Sequence, residues 1–225
     1  MGQLMRFSFA VTSCEQRLKS GALSQTVEQI NRAGFPKNQL VRCVDGMDGE
    51  PFGIFGNWIL TAWELFLRDP KSDFYVIFQD DIRCCRNIKP YLQATLSPHA
   101  KSYFNLYTGR SNAEHIGDAT GWHDSNQNGR GALGLVFPRA VLMLLLTSQE
   151  IVSHPQQTDG TRGVDKVVCL AMRRLGITER VHRPSLIQHR DEYDVPSTHR
   201  PAPGRVSGCF AGEDADAMQF LRSRQ

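Results

Sequence analysis

From residue 74 the chain reads Phe-Tyr-Val-Ile-Phe-Gln-Asp-Asp-Ile, five consecutive apolar or aromatic positions that run into an amide and two carboxylates. Unbroken hydrophobicity of that length predicts a strand buried on both faces, of the kind found in sheets covered by helices. The pattern upstream agrees. Residues 6 to 13 and 40 to 44 read as strands, and residues 23 to 33 between them set Leu23, Val27 and Ile30 on one helical face before Gly34 and Pro36 stop the helix. Strand, helix and strand in that order predict a parallel pair joined by a right-handed crossover. Residues 57 to 68 predict a helix with a broad apolar stripe that ends at Asp69-Pro70 and leads into the buried strand.

Downstream, residues 86 to 96 predict a helix and residues 102 to 108 and 132 to 137 predict strands. A helix follows Pro138, another spans 164 to 175 with Gly176 as its stop, and 180 to 189 read as a last strand with a histidine at its end. The intervening stretches are polar. Residues 14 to 17 leave the first strand as a loop, and 45 to 53 are rich in turn formers. Residues 109 to 131 hold five glycines and no sustained period, which predicts a flexible functional loop, and 153 to 163 read as a polar loop. The expectation is an α/β protein with a mostly parallel central sheet flanked by helices, one domain over residues 1 to 189. Residues 190 to 225 would be a Pro/Gly-rich tail or lid with a short C-terminal helix.

Composition narrows the partners and the compartment. With 225 residues the chain suits one domain, and Lys+Arg 26 against Asp+Glu 23 leaves a formal charge of +3, which permits nucleic-acid binding without indicating it. The six cysteines are scattered without C-x-x-C spacing, as in a cytosolic protein with reduced thiols. The longest apolar run, 140 to 146, is far too short for a bilayer, so no transmembrane segment and a cytoplasmic location are expected.

Two adjacent carboxylates at the end of a buried strand repel one another and require water, a donor or a cation nearby. In open α/β sheets ligands bind beyond the carboxyl ends of the strands, which makes Asp80-Asp81 a candidate site; an acid that caps a turn is the other reading of the same residues.

The alternating strands and helices, the Gln79-Asp80-Asp81 strand end and the later Pro-Ser-Leu-Ile-Gln-His segment together resemble the GT-A, family 2-like, nucleotide-sugar-dependent glycosyltransferases over residues 6 to 190. The resemblance implies a GT-A-like fold and transfer of a sugar from a nucleoside-diphosphate sugar donor to an acceptor hydroxyl. It implies Asp81 as metal ligand with Asp80 and His189 beside it, and Mn²⁺ or Mg²⁺ as the cation. Gln79 stands where the family has Asp or Glu, and is left to hydrogen-bond a ribose hydroxyl. Thr12, Arg17 and Asp45 would hold base and ribose. Asp165, in the first turn of a late helix, would be the catalytic base of an inverting transfer, with Asp124 as second choice. Trp122, in a glycine-rich stretch with no core to join, would stack on an acceptor sugar. The acceptor class stays open: a glycan, a lipid-linked sugar, a protein side chain or a modified nucleic-acid base.

Two other functions remain. A nucleotidyltransferase uses a related sheet and metal carboxylate but opens with a glycine-rich loop, which Val11-Thr12-Ser13-Cys14-Glu15 lacks. A binding protein that has kept the fold and lost transfer is compatible with the neutral Gln79.

Overall fold

In the computed structural model the apolar run at Phe74 becomes an interior strand, with other strands on both sides and helices on both faces. Residues 5–47, 49–153, 163–190 and 206–224 are described. The first half of the chain comprises β1 (Phe7–Cys14), α1 (Glu15–Lys19), α2 (Ala22–Arg32), β2 (Val41–Asp45), α3 (Gly53–Arg68), β3 (Phe74–Gln79), β4 (Ile82–Cys84) and α4 (Ile88–Thr95). It continues with β5 (Ser102–Asn105), α5 (Arg110–Ile116), β6 (Gly121–Asp124), β7 (Gly134–Pro138), α6 (Arg139–Leu146) and α7 (Gln149–Val152). The last elements are α8 (Val164–Arg174), β8 (Thr178–Arg183), β9 (Ile187–His189) and a 3-10 helix (Ala217–Arg224).

Seven strands form one sheet in the order β2-β1-β3-β7-β5-β8-β6. β1 is parallel to β2 and β3, and β8 is parallel to β5, whereas β7 is antiparallel to both its neighbours and β6 to β8. Five strands therefore share one direction and two oppose it, a mostly parallel sheet as the sequence predicts. The reversal of β7 matters for the site. Because Gly134 lies opposite Phe78, the residues that precede β7 are delivered to the carboxyl end of β3, where the Gln79 amide donates to the Leu133 carbonyl at 2.9 Å.

Strand periodicity divides the core into two layers. Phe74, Val76 and Phe78 face α2 and α4, in a cluster with Phe9, Phe35, Ile88 and Leu92. Tyr75 and Ile77 face α3, α6 and α8, in a cluster with Trp58, Leu65, Leu142 and Val168. Phe35, fully buried, meets Phe9 and Phe78 edge-on with ring centroids 5.1 and 5.3 Å apart.

Several boundaries differ from the sequence reading. Residues 15–19 form a helical turn, and α3 starts at Gly53, because the glycines of Gly-Ile-Phe-Gly imitate a loop without preventing a helix. Residues 109–131 are not one loop; α5 and β6 lie within them, each too short to declare a period. The segment 180 to 189 is split between β8 in the main sheet and β9, which pairs with β4, since Pro184 lacks the amide that a continuing ladder needs. Most of the predicted loop 153–163 and residues 191–205 of the predicted tail lie outside the described residues. The end of the chain packs on the same core: Ala217 and Phe220 join the β3 layer, and the Ala217 and Arg86 amides bond across to Arg86 and Ala215 carbonyls.

Truncation of the ring that joins α2 to β1 and β3 tests this layering. Phe35→Ala is expected to lower stability by roughly 3–5 kcal/mol, read as a fall in the urea midpoint at an unchanged slope.

Candidate active site

The acid end of β3 is sealed by residues from three other segments. The register Thr12↔Gln79 sets Ser13 beside Asp80, and α1, which follows β1 at once, carries Arg17 back over the same edge. The Ser13 hydroxyl and the Arg17 guanidinium each donate to one oxygen of Asp80. Arg17 also lies 3.0 Å from Asp81 Oδ2. From the far end of the chain, Ile82↔His189 pairing brings His189 Nε2 to 3.0 Å from the same Oδ2. Thr26 of α2 donates to the Asp80 carbonyl at 2.6 Å, so the turn itself is tied down.

Both carboxylates are buried, and their surroundings push them apart. Burial raises the Asp80 carboxyl, Arg17 lowers it and the Asp81 charge raises it again, with an upward balance. Burial raises Asp81 as well, but the His189 hydrogen bond and the Arg17 charge outweigh it and hold that carboxyl below its ordinary value. Arg17 loses by burial and gains more from Asp81 and Asp80, so its proton is held more firmly than usual.

A cleft of about 510 Å³ opens in front of Asp81. Its lining includes Gln79, Asp81 and His189 from the strand ends, Tyr107 and Arg110 from the segment after β5, Arg130 and Gly131 before β7, and Asp165 at the start of α8. Asp165 Oδ2 accepts the Gly131 amide at 2.9 Å and Oδ1 accepts the Lys166 amide at 3.0 Å. Gly131 is required twice over: its φ is +78°, and a β-carbon there would stand 2.3 Å from Tyr107 Cδ1.

The cleft thus joins four of the residues singled out in the sequence, Gln79, Asp81, His189 and Asp165, with Asp80 and Arg17 directly behind Asp81. The others lie outside its lining. Thr12 is buried in β1 and donates to the Phe78 carbonyl at 3.2 Å. Asp45 accepts the Phe52 and Gly53 amides at 2.8 and 2.9 Å, which closes the loop and caps α3. Asp124 is on the edge strand β6, where it pairs with Arg180 at 3.4 Å. Trp122 has a core to join after all. Its indole is buried against Phe104 and His182, at 5.1 and 5.0 Å between ring centroids, and its Nε1 donates to Thr95 Oγ1 at 3.2 Å. The acceptor-stacking role falls with the assumption that β6 was loop.

The sequence reading missed Tyr107, Arg110, Arg130 and Gly131, which no local pattern marks because two separate segments contribute them. It also missed Glu179, for which a signal existed: in Thr-Glu-Arg-Val-His-Arg, Glu179 shares the alternate positions of the apolar Val181 and so falls on a buried face.

For a metal, the residues are a partial fit. Asp81 Oδ1 is buried with no hydrogen-bond partner, and an unpartnered carboxylate oxygen beside an imidazole is a donor set that a hard or borderline cation accepts. Asp80 does not join it, because both its oxygens are turned to Ser13 and Arg17. Among the described residues no three His, Cys, Asp or Glu side chains gather around one point.

No family model matches the chain, and no curated protein matches it in sequence. Among solved structures it is similar to a glycosyltransferase involved in the glycosylation of the major capsid of PBCV-1, with a TM-score of 0.48 at 10% identity over 84% of this chain and 95% of that one. No helix among the described residues is long and apolar enough to cross a membrane.

Removal of the buried cation should expose what it compensates. Arg17→Met leaves two buried carboxylates without their guanidinium and is expected to cost roughly 3–5 kcal/mol at pH 7. Without Arg17 the Asp80 carboxyl, already raised, rises further, and an acid raised in the folded state takes up its proton before the unfolded chain does. The variant should therefore recover stability as the pH falls, with a smaller loss of urea midpoint at pH 5 than at pH 7. Equal losses at both would mean that Arg17 contributes packing alone.

Proposed function

We propose that the protein is a metal-dependent glycosyltransferase that moves a sugar from a nucleoside-diphosphate sugar to an acceptor hydroxyl with inversion. The observation that carries this reading is the meeting, in one cleft, of an ionised buried carboxylate that has a free oxygen, a histidine and a second carboxylate from an unconnected helix. Such a set supports a reading in which one cleft takes both a cation and a proton.

Asp81 and His189 would hold Mn²⁺ or Mg²⁺, the remaining positions going to diphosphate oxygens and water. When bound, the ion stabilises the negative charge that develops on the leaving diphosphate. Gln79, an uncharged donor and acceptor on the cleft wall, is suited to a ribose hydroxyl. Asp165 is held by two backbone amides and keeps lone pairs to spare, so it can take the hydroxyl proton as the acceptor oxygen attacks. Asp80 and Arg17 fix Asp81 from behind.

A second reading, a nucleotide-sugar-binding protein without transfer, is favoured by one observation: Arg17 already pairs with both acids. A screen of nucleotide sugars for release of nucleoside diphosphate separates the two.

Two substitutions test the assigned roles. Nucleoside diphosphate with Mn²⁺ should raise the melting temperature of the wild type, by a stabilisation of about 2.7 kcal/mol at 100 times Kd, and Asp81→Asn should abolish the metal-dependent part of that rise. Full retention of the rise in Asp81→Asn would rule out Asp81 as a ligand. Asp165→Asn keeps the shape and removes the basicity, so kcat should fall about 10²- to 10⁴-fold with little change in donor KM. A near-normal kcat, or a product that retains the donor's anomeric configuration, would remove Asp165 as base.

A further inference from the structure

Behind Asp165 lies a buried polar network that the proposed reaction does not use. Glu179 on β8 is 2% exposed and Asn105 at the end of β5 is 1% exposed, and the β5–β8 register, Tyr103↔Glu179 and Asn105↔Val181, makes them diagonal neighbours. Glu179 Oε1 accepts Asn105 Nδ2 at 3.0 Å and Oε2 accepts the Ser125 hydroxyl at 2.6 Å. Its backbone is clamped as well: the Ser125 amide and Gln127 Nε2 donate to its carbonyl at 3.0 and 2.9 Å, and its own amide donates to Gln127 Oε1 at 3.0 Å. Asn105 carries the network onward. Its Nδ2 also donates to the Gly131 carbonyl at 2.8 Å, and its Oδ1 accepts the Tyr107 amide at 3.0 Å.

The path ends in the cleft. Gly131, whose carbonyl Asn105 holds, donates its amide to Asp165, and Tyr107, held by the other end of the same side chain, packs on Gly131 and lines the cleft. A buried carboxylate is costly, and an amide donor from Asn105 and a hydroxyl donor from Ser125 are spent on this one. A core that needed only apolar closure would place a Leu or Val there at lower cost.

We propose that Asn105 and Glu179 are positioning residues that hold Asp165 in its working orientation through Gly131, an inference that rests on the glycosyl-transfer reading above. Asn105 is the branch point: both hydrogens of its amide are committed, one to Glu179 and one to Gly131, and only an amide supplies two donors and an acceptor in that geometry. An aspartate at the same place keeps the shape but turns an acceptor toward the Glu179 carboxylate and the Gly131 carbonyl.

Hydrogen exchange at the Gly131 amide, read by NMR, tests the linkage without substrate. Asn105→Asp should accelerate exchange at Gly131 by about 10-fold or more while Val76 and Ile77 in β3 keep their wild-type rates, the mark of local loosening. Unchanged exchange at Gly131, or equal acceleration in β3, would overturn the proposal; if Asn105→Asp does not fold, Asn105→Ser serves under the same criteria. Kinetics then test its catalytic meaning. Asn105→Asp should lower kcat by about 10-fold or more with donor KM within about twofold, and in an Asp165→Asn background it should cost less than about twofold, since residues that act through one group are not additive. Glu179→Ala should behave alike, and Glu179→Gln should recover most of the loss, because its oxygen can still accept from Asn105 and the Ser125 hydroxyl can turn to accept from the new amide. Losses that multiply in the double variant would overturn the proposal. A wild type that turns over no nucleotide sugar would instead remove the reading beneath it, and the exchange rates tell the two failures apart.

Discussion

Two carboxylates side by side at the end of a buried strand are the constraint around which this molecule is arranged. Neither can be left alone in a low-dielectric setting, and the fold answers with charges delivered from distant parts of the chain. Arg17 comes from the turn of helix directly after β1, the parallel neighbour of β3, and His189 comes from the strand that pairs with β4. Ser13 and Thr26 add hydrogen bonds from the same β1–α2 unit. The amino-terminal crossover and the carboxyl-terminal strand are thus held to one point by electrostatics as well as by packing. A change in the register of either would strand a buried charge.

The reversed strand β7 supplies the other half of the cleft. Had it run parallel to β3, the residues before it would emerge at the opposite edge of the sheet. Antiparallel pairing of Gly134 with Phe78 instead brings Arg130, Gly131 and Leu133 to the acidic edge, where Gly131 meets the first turn of α8. Its positive φ and the closeness of Tyr107 leave no room for a side chain, so the contact between loop and helix depends on that glycine.

What the sequence made legible follows from the length of each signal. A five-residue apolar run ending in acids, a helix with apolar positions at regular spacing and a Gly or Pro stop are local patterns, and β3, α2 and α8 follow them within a residue or two. Elements of four to seven residues leave no period to detect. For that reason α5 and β6 read as loop in the sequence, and Trp122 reads as a ligand contact in place of the core residue it is. Asp45 shows a further limit: an acid followed by glycine after a strand reads equally as a ligand or a cap, and only the positions of the Phe52 and Gly53 amides decide for the cap. The convergence of Asp81, His189 and Asp165 is a matter of topology, which no window of sequence contains.

The two acids of the strand end also divide their work, and the division explains why the sequence carries both. Asp80 is raised by burial and has both oxygens committed to Ser13 and Arg17, so it serves as an anchor that keeps the guanidinium in place. Asp81 sits against that same guanidinium and the imidazole, which together hold its charge against burial and still leave Oδ1 without a partner. Environments that drive neighbouring titratable groups in opposite directions are a recurrent sign of separate roles in one site. Here the anchor lies behind and the ionised oxygen belongs to the residue that lines the cleft, so the pair presents a single fixed negative charge to a ligand. A neutral Gln79 beside it is then consistent with the arrangement: a third carboxylate would add repulsion at an edge where the available cations are already engaged.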